Sequence, residues 1–133
     1  MVMHSILIID DDNATVQFLE ILFMGRGYGV ICATSGAQGI ELARQHHPDL
    51  IMVDVMMPDM NGYAVCQQLR ADPITAEIPI VILTARNSLA DKATGYESGA
   101  NRFLVKPVAI TRLAEIVDEL TSQKASSVTP PTD

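Results

Sequence analysis

The chain has 133 residues, a length typical of one domain that can bury a sizeable core. Hydrophobic residues make up 48% of it, which argues against a disordered chain, and the low aromatic content of 5% means that the core must be mainly aliphatic. The formal net charge is -7 and the lysines and arginines are scattered, which argues against direct binding to nucleic acid.

Five short apolar runs predict buried β-strands. Each run is apolar throughout instead of alternating with polar residues, which is typical of strands covered on both faces of a parallel sheet. The runs span residues 6–9, 30–33, 50–53, 80–83 and 103–105. One strand therefore comes roughly every 20 to 30 residues, the spacing that βαβ units require.

Helical patterns follow each of these strands. The first covers about residues 14–24 and ends in the glycine-rich stretch GRGYG. The second begins after the capping residue Ser35 and ends before Pro48. Its inward face is predicted to consist of Ala37, Ile40 and Ala43. The third covers about residues 62–70.

The last two helical patterns differ in clarity. The fourth covers residues 88–98 and presents the apolar side chains Leu89, Ala93 and Tyr96. The fifth has the clearest amphipathic period, with apolar residues at i, i+3, i+4 and i+7. These residues are Leu113, Ile116, Val117 and Leu120. The period is lost afterwards, so we expect a folded domain over residues 4–121 and a flexible tail or linker over residues 122–133.

The alternation of strand and helix predicts an α/β fold of (βα)5 type. Right-handed crossovers place helices on both faces of an open parallel five-stranded sheet, which gives a doubly wound three-layer sandwich. A closed barrel would need eight repeats.

The two cysteines and the chain's hydropathy bear on its compartment. Cys32 and Cys66 lie in apolar or helical patterns, where free cysteine behaves as a small buried hydrophobe, and this favours a reducing compartment. The N-terminal apolar run is too short for a signal peptide, and no stretch approaches the about 20 apolar residues of a membrane span. We therefore expect a cytoplasmic protein without a membrane segment.

Polar side chains follow the predicted strands at their carboxyl ends, where ligands bind in open parallel sheets. In chain order they are Asp10, Asp11, Asp12, Asp54, Thr84 and Lys106. Acids, a hydroxyl and an amine are therefore expected to converge on one edge of the sheet. Asp12 is assigned separately, as a cap or first-turn residue of the first helix.

This set of side chains predicts a metal-assisted phosphoryl site. Several carboxylates close together repel one another unless a cation binds, and oxygen ligands from two acids suit Mg²⁺ (or Mn²⁺). Asp10, Asp11 and Asp54 would form an incomplete octahedral site whose open positions face a phosphoryl group. Lys106 and the hydroxyl of Thr84 would bind further phosphoryl oxygens. Asp54 is the predicted nucleophile, which would form an aspartyl phosphate.

Four sequence motifs resemble the response-regulator receiver domains of two-component signalling, the CheY-like family. They are ILIIDDD, DLIMVDVMMPDMNG, VILTA and FLVKP. The resemblance covers about residues 4–121, and it implies a flavodoxin-like sheet with strand order 2-1-3-4-5. It also implies that Asp54 is the phosphoacceptor, that Asp11 binds magnesium directly and Asp10 chiefly through water, and that the backbone carbonyl of Met56 is a further ligand.

The same resemblance assigns the switch. It implies that Thr84 is the switch hydroxyl, that Lys106 contacts the phosphoryl group and precedes a cis bond to Pro107, and that Phe103 is the switch aromatic, which turns inward after phosphorylation. Arg86 lies two residues beyond Thr84, and together with Met56 it is predicted to border the path of the attacking water.

The implied function is a phosphorylation-activated switch and not an enzyme with a separate substrate. A sensor histidine kinase or a histidine phosphotransfer protein would donate the phosphoryl group. The downstream protein would bind the face made by the fourth helix, the fifth strand and the fifth helix. Slow autodephosphorylation would reset the switch, and a homodimer through the last helices is left open.

Two alternatives use the same acidic turn. The segment DDDNAT resembles the start of haloacid-dehalogenase-type phosphatases, with Asp10 as nucleophile and Asp12 as acid-base, but Ala14 departs from that pattern. A flavin-binding module of the same fold would need a loop rich in Ser, Thr or Gly after the first strand, and this loop is acidic.

Overall fold

The computed structural model describes residues 3–126, and side chains over residues 3–122. Strands and helices alternate from β1 to α5. The elements are β1 (Ser5–Ile9), α1 (Asn13–Gly25), β2 (Gly29–Ala33), α2 (Gly36–His46), β3 (Leu50–Val53), α3 (Gly62–Ala71), β4 (Ile80–Thr84), α4 (Leu89–Glu97), β5 (Arg102–Val105) and α5 (Ile110–Ser126). The five strands pair in parallel in the order β2-β1-β3-β4-β5. The predicted fold class and strand order are confirmed.

Alternate side chains of the central strands belong to two separate hydrophobic cores, one on each face of the sheet. Leu7 and Ile9 of β1 belong to the core on the side of α2 and α3, whereas Ile6 and Ile8 belong to the core on the side of α1 and α5. All four are at most 1% exposed. Burial on both faces explains why these runs are apolar throughout and why the sequence predicted them so directly.

Helix α2 packs through glycine where the sequence predicted alanine. Ala37 is exposed, and Gly36, Gly39 and Ala43 form the buried face instead. A Cβ atom on Gly39 would lie 2.7 Å from Cγ1 of Ile9, so the helix approaches β1 more closely than any side chain would allow. The predicted face is therefore wrong at Ala37, because close packing and not apolar character selects the inward residues.

Helix α4 also departs from its predicted packing. Leu89, Ala93 and Tyr96 are all exposed, and Leu89 is 86% exposed. Gly95 is the buried residue of this helix, and a Cβ atom there would meet the ring of Phe103 at 2.5 Å. The helix is held against β5 through this small residue, which leaves its apolar side chains on the surface.

Helix α5 continues to Ser126, five residues beyond the boundary expected at residue 121. The rest of the expected tail, residues 127–133, lies outside the described residues. Cys32 and Cys66 are free thiols, as predicted. None of the helices in residues 3–126 is both long enough and apolar enough to cross a membrane.

Candidate functional site

The ammonium group of Lys106 joins the ends of two neighbouring strands. Asp10 follows β1 and Asp54 follows β3, and these strands pair so that Ile9 lies opposite Val53. Nζ of Lys106 lies 3.3 Å from Oδ2 of Asp10 and 3.2 Å from Oδ2 of Asp54. The two carboxylates predicted for phosphoryl chemistry therefore share one cation.

The remaining carboxylate oxygens are oriented by the main chain. The amide of Asp12 donates to Oδ1 of Asp10 at 2.9 Å, and the amide of Met56 donates to Oδ1 of Asp54 at 3.1 Å. Each acid thus receives a hydrogen bond from the residue two positions later. The other oxygen of each carboxylate is left facing Lys106.

Burial and charge act in opposite directions in this group. Asp10 is 4% exposed and Asp54 is 9% exposed. Burial raises the pKa of Asp10, although the amide of Asp12 and the charge of Lys106 oppose the rise. Burial also disfavours the charged form of Lys106, but the charges of Asp10 and Asp54 outweigh it and raise the pKa of this lysine. Lys106 is therefore a permanent cation at neutral pH.

The carboxylates at this edge fit a magnesium ion, although they do not form a complete coordination shell. Asp11 is exposed at the same edge of the sheet. Within residues 3–122, no three Asp, Glu, His or Cys side chains are gathered closely enough to hold a metal. Magnesium commonly uses only one or two carboxylates and keeps several waters, so such a cage is not required. Lys106 supplies one positive charge against the carboxylates of Asp10 and Asp54, and the surplus negative charge favours a divalent cation.

A hollow of about 530 Å³ opens beside these acids, and we call it the Met56 hollow. Its lining comes from the β1–α1 turn, the loop between β3 and α3, the start of α3 and the loop after β4. The lining residues are Asp11, Val55, Met56, Met57, Pro58, Asn61, Tyr63 and Arg86. The amide of Met56, one of the lining residues, donates to Oδ1 of Asp54, so the hollow adjoins this carboxylate.

Thr84 and Phe103 occupy the neighbouring strands. Thr84 ends β4 and is fully buried, and its Oγ1 accepts a long hydrogen bond of 3.4 Å from the amide of Arg86. Phe103 of β5 is only 5% exposed. The sequence predicted that Phe103 turns inward after phosphorylation, but its ring is already inward here because Gly95 leaves room for it. The bond between Lys106 and Pro107 is cis, as the resemblance implied.

Met56 and Arg86, the pair predicted to border the phosphoryl site, are brought together. Nη1 of Arg86 lies 3.5 Å from the sulfur of Met56, and both residues line the Met56 hollow. Met56 is 55% exposed. A guanidinium group and a thioether thus meet at the wall of this hollow.

Sequence reasoning missed two further residues that shape this edge. The carboxylate of Asp59 accepts hydrogen bonds from the amides of Gly36 and Ala37, both at 3.0 Å, and so ties the β3–α3 loop to the start of α2. Asp91 of α4 binds Arg86 and Tyr63. The capping pattern SLAD at residues 88–91 was a readable signal for a role of Asp91 in its own helix, but not for its contact with Arg86.

Comparisons with known proteins identify the family. The response regulator receiver domain family matches residues 6–118. The response regulator PleD of Caulobacter vibrioides is 39% identical over 91% of the chain, and the DNA-binding dual master transcriptional regulator RpaA of Synechocystis is 45% identical over 84% of it. The chain spans 29% of PleD and 46% of RpaA.

Solved structures agree with the sequence comparison. The signal receiver domain of a signal transduction histidine kinase from Syntrophus aciditrophicus has 31% identity and a TM-score of 0.86, with 98% of each chain covered.

The phosphatase alternative is not supported. The Asp10 carboxylate is bound by Lys106 and the amide of Asp12, while Asp12 sits at the N-cap of α1 and receives a hydrogen bond from Thr15. The chain belongs to the receiver-domain family of two-component response regulators, whose members are phosphorylation-activated signalling switches.

Proposed function

We propose that Asp54 accepts a phosphoryl group from the phosphohistidine of a sensor kinase or of a histidine phosphotransfer protein. An oxygen of Asp54 attacks phosphorus as the P–N bond breaks, and the bonding electrons stay on the imidazole nitrogen, which takes up a proton. The observation that carries this assignment is the position of Lys106. Its ammonium group contacts both Asp54 and Asp10 at the edge where the strands have their carboxyl ends.

The other residues of the edge bind and orient the phosphoryl group. Lys106 neutralises one phosphoryl oxygen, and the hydroxyl of Thr84 donates to a second. Asp10, Asp11 and the backbone carbonyl of Met56, with Asp54 itself, would hold Mg²⁺ or Mn²⁺. When bound, this ion neutralises the charge that develops on the oxygens in phosphoryl transfer.

Phosphorylation then changes the surface that partners recognise. Reversing a 1:99 equilibrium to 99:1 takes about 5.5 kcal/mol. Three hydrogen bonds to a charged group supply this at about 2 kcal/mol each, a value within their usual range. Thr84 is joined to the loop before α4, so its movement toward the phosphoryl group carries that loop with it. The change reaches α4 through this loop, and the inward turn of the Phe103 ring stays a prediction.

The downstream protein binds the face formed by α4, β5 and α5. Several large apolar side chains at or beside these three elements are exposed, which supports a protein partner and also allows a homodimer. They are Leu89, Tyr96, Val105 and Ile110. The curated relatives are much longer than this chain, so its output belongs to whatever it binds or is joined to. The cytoplasmic location predicted from the sequence stays a prediction.

The chain also promotes loss of its own phosphoryl group, slowly. Water reaches the aspartyl phosphate through the Met56 hollow, past Met56 and Arg86. Replacing Met56 by Asn together with Arg86 by Glu therefore changes the rate of self-dephosphorylation, and an unchanged lifetime in this double variant would contradict the role given to the pair.

Labelling with acetyl phosphate tests the central assignment. The purified chain is incubated with the donor and Mg²⁺ or with EDTA, and the modified residue is located by mass spectrometry after reduction of the acyl phosphate with borohydride. We expect label on Asp54 with Mg²⁺, little label with EDTA, and none in Asp54→Asn. Asp12→Asn is the matched control, because it removes a neighbouring exposed carboxylate, and it should be labelled like the unmodified protein. Equal labelling of Asp54→Asn would overturn the proposal.

A further inference from the structure

The side chain of Arg86 is fixed by an acid on the next helix. Nε of Arg86 lies 2.9 Å from Oδ1 of Asp91, while its Nη1 lies against the sulfur of Met56 at 3.5 Å. The exposed fraction of the Arg86 side chain is 48%, whereas that of Asp91 is 17%. The better-buried acid therefore anchors the arginine, and the guanidinium group is directed across the Met56 hollow.

Asp91 is itself held from two sides. The hydroxyl of Tyr63 on α3 donates to Oδ1 of Asp91 at 3.3 Å and to its carbonyl at 3.2 Å. Oδ2 of Asp91 accepts from the hydroxyl of Ser88 at 2.7 Å, and the amide of Asp91 donates back to that hydroxyl at 3.0 Å. One carboxylate oxygen thus serves the cap of α4, and the other serves Arg86 and Tyr63.

The position of Arg86 in the chain makes this contact relevant to the reaction. Its amide donates to Oγ1 of Thr84, the proposed switch hydroxyl, and its side chain lines the hollow that adjoins Asp54. We infer that Tyr63 and Asp91 are positioning residues, which hold the Arg86 guanidinium across the Met56 hollow and so slow the hydrolysis of the aspartyl phosphate. This inference rests on the proposed phosphorylation of Asp54.

The sign of the effect follows from the geometry. When the bond to Asp91 is lost, the arginine is free to extend into solvent and the hollow widens on the Arg86 side. Water then reaches the phosphoryl group more often. Because a single solvent-accessible ion pair changes a two-state population by no more than about fivefold, the lifetime of the aspartyl phosphate should shorten by up to about that factor.

The experiment compares the decay of the aspartyl phosphate in several variants of the full chain. Each is labelled with acetyl phosphate and Mg²⁺ and freed of donor by rapid desalting, and the phosphorylated fraction is followed on a phosphate-affinity gel. Asp91→Asn and Tyr63→Phe should both shorten the lifetime. In an Arg86→Gln background, which already lacks the guanidinium group, neither change should shorten it further.

A matched control separates positioning from helix stability. Ser98→Ala removes a buried hydroxyl at the end of α4, which donates to the carbonyl oxygen of Gly95 at 2.8 Å and contacts neither Asp91 nor Arg86. It should lower the melting temperature and keep the unmodified lifetime. Tyr63→Phe removes one hydroxyl and preserves the ring, which provides a second variant if Asp91→Asn does not fold.

The possible results differ for the two claims. Lifetimes of Asp91→Asn and Tyr63→Phe equal to that of the unmodified chain would overturn the inference, as would a shortening that persists in the Arg86→Gln background. Both results leave the phosphorylation of Asp54 intact. Absence of label from Asp54 in the unmodified chain would instead overturn the proposed function, and the inference with it.

Discussion

Nε of Arg70 donates a 3.0 Å hydrogen bond to the carbonyl oxygen of Gly99, which ties the last turn of α3 to the loop between α4 and β5. The same guanidinium group donates to the carbonyls of Ala76 and Ile78 and to the side chain of Asn101. A single side chain thus binds both the loop between α3 and β4 and the loop between α4 and β5. These loops are at the opposite end of the strand from Thr84.

Removing this guanidinium group should destabilise the fold. Arg70→Met leaves three main-chain carbonyls without their donor, and we expect a loss of about 3 kcal/mol in the free energy of unfolding, since hydrogen bonds to a charged group contribute about 1.5–3 kcal/mol each and water replaces part of the loss. Arg70→Lys should recover only a part, because an ammonium group cannot reproduce the planar fork. Urea denaturation measures the difference.

Arg44 provides the comparison for Arg70. It forms one ion pair with Asp72 at 3.2 Å, and its side chain is 48% exposed. Arg44→Met should therefore change the free energy of unfolding by less than about 1 kcal/mol. Equal losses in the Arg44 and Arg70 variants would show that the carbonyl contacts of Arg70 contribute no more than an ordinary surface pair.

Asp10→Asn should make the metal-free protein more stable and remove its response to magnesium. The amide keeps an oxygen to accept from Asp12, while burial no longer acts against a charge and the repulsion from Asp54 disappears. Melting curves in EDTA and in MgCl₂ measure both effects. Asp11→Asn is the control: its exposed carboxylate bears little on stability in EDTA, but its loss should also weaken the response to magnesium. A lower melting temperature for Asp10→Asn in EDTA would contradict this expectation.

The sequence was sufficient for the parts of the site that topology alone assembles. Asp10, Asp54, Thr84 and Lys106 each follow a strongly apolar run, and parallel strands bring their carboxyl ends to one edge whatever the details of packing. The sequence placed Lys106 at this edge as a ligand of the phosphoryl group, and its direct contacts with both acids are seen only in the structure. The buried strands were equally readable, because burial on both faces leaves an uninterrupted apolar pattern.

Residues that depend on the spacing between helices could not be read in the same way. Gly39 and Gly95 set the distance of α2 and α4 from the sheet, and a sequence pattern that counts apolar side chains gives them no weight. Tyr63 and Asp91 are 28 residues apart in the chain, and their contact joins α3 to α4. Nothing local in either helix indicates this contact.

Gly62→Ala should disturb the proposed phosphoacceptor through the backbone. A Cβ atom at this position would lie 2.5 Å from the carbonyl oxygen of Asp54 and 2.9 Å from Cα of Val55, so α3 or the loop must move. We expect a loss of about 1–3 kcal/mol in stability, as for other overpacked sites, together with slower labelling of Asp54. Gly25→Ala is the matched control, because no atom lies within 4 Å of its added Cβ, and it should be neutral or stabilising by up to about 1 kcal/mol.

Asp59→Ala should lower the melting temperature, and the deficit should depend on pH. Hydrogen bonds from the amides of Ala37 and Gly36 hold the pKa of Asp59 below its usual value of 3.8. A carboxyl group whose pKa falls on folding stabilises the folded state fully at pH values above the unfolded pKa, and this stabilisation is lost as the pH falls through the folded pKa. The melting temperatures of the variant and the unmodified chain should therefore differ at neutral pH and converge below about pH 4. Glu115→Ala, which removes an exposed carboxylate of α5, should show no such convergence. A deficit that stays constant from neutral to acid pH would mean that the charge of Asp59 is not what joins the β3–α3 loop to α2.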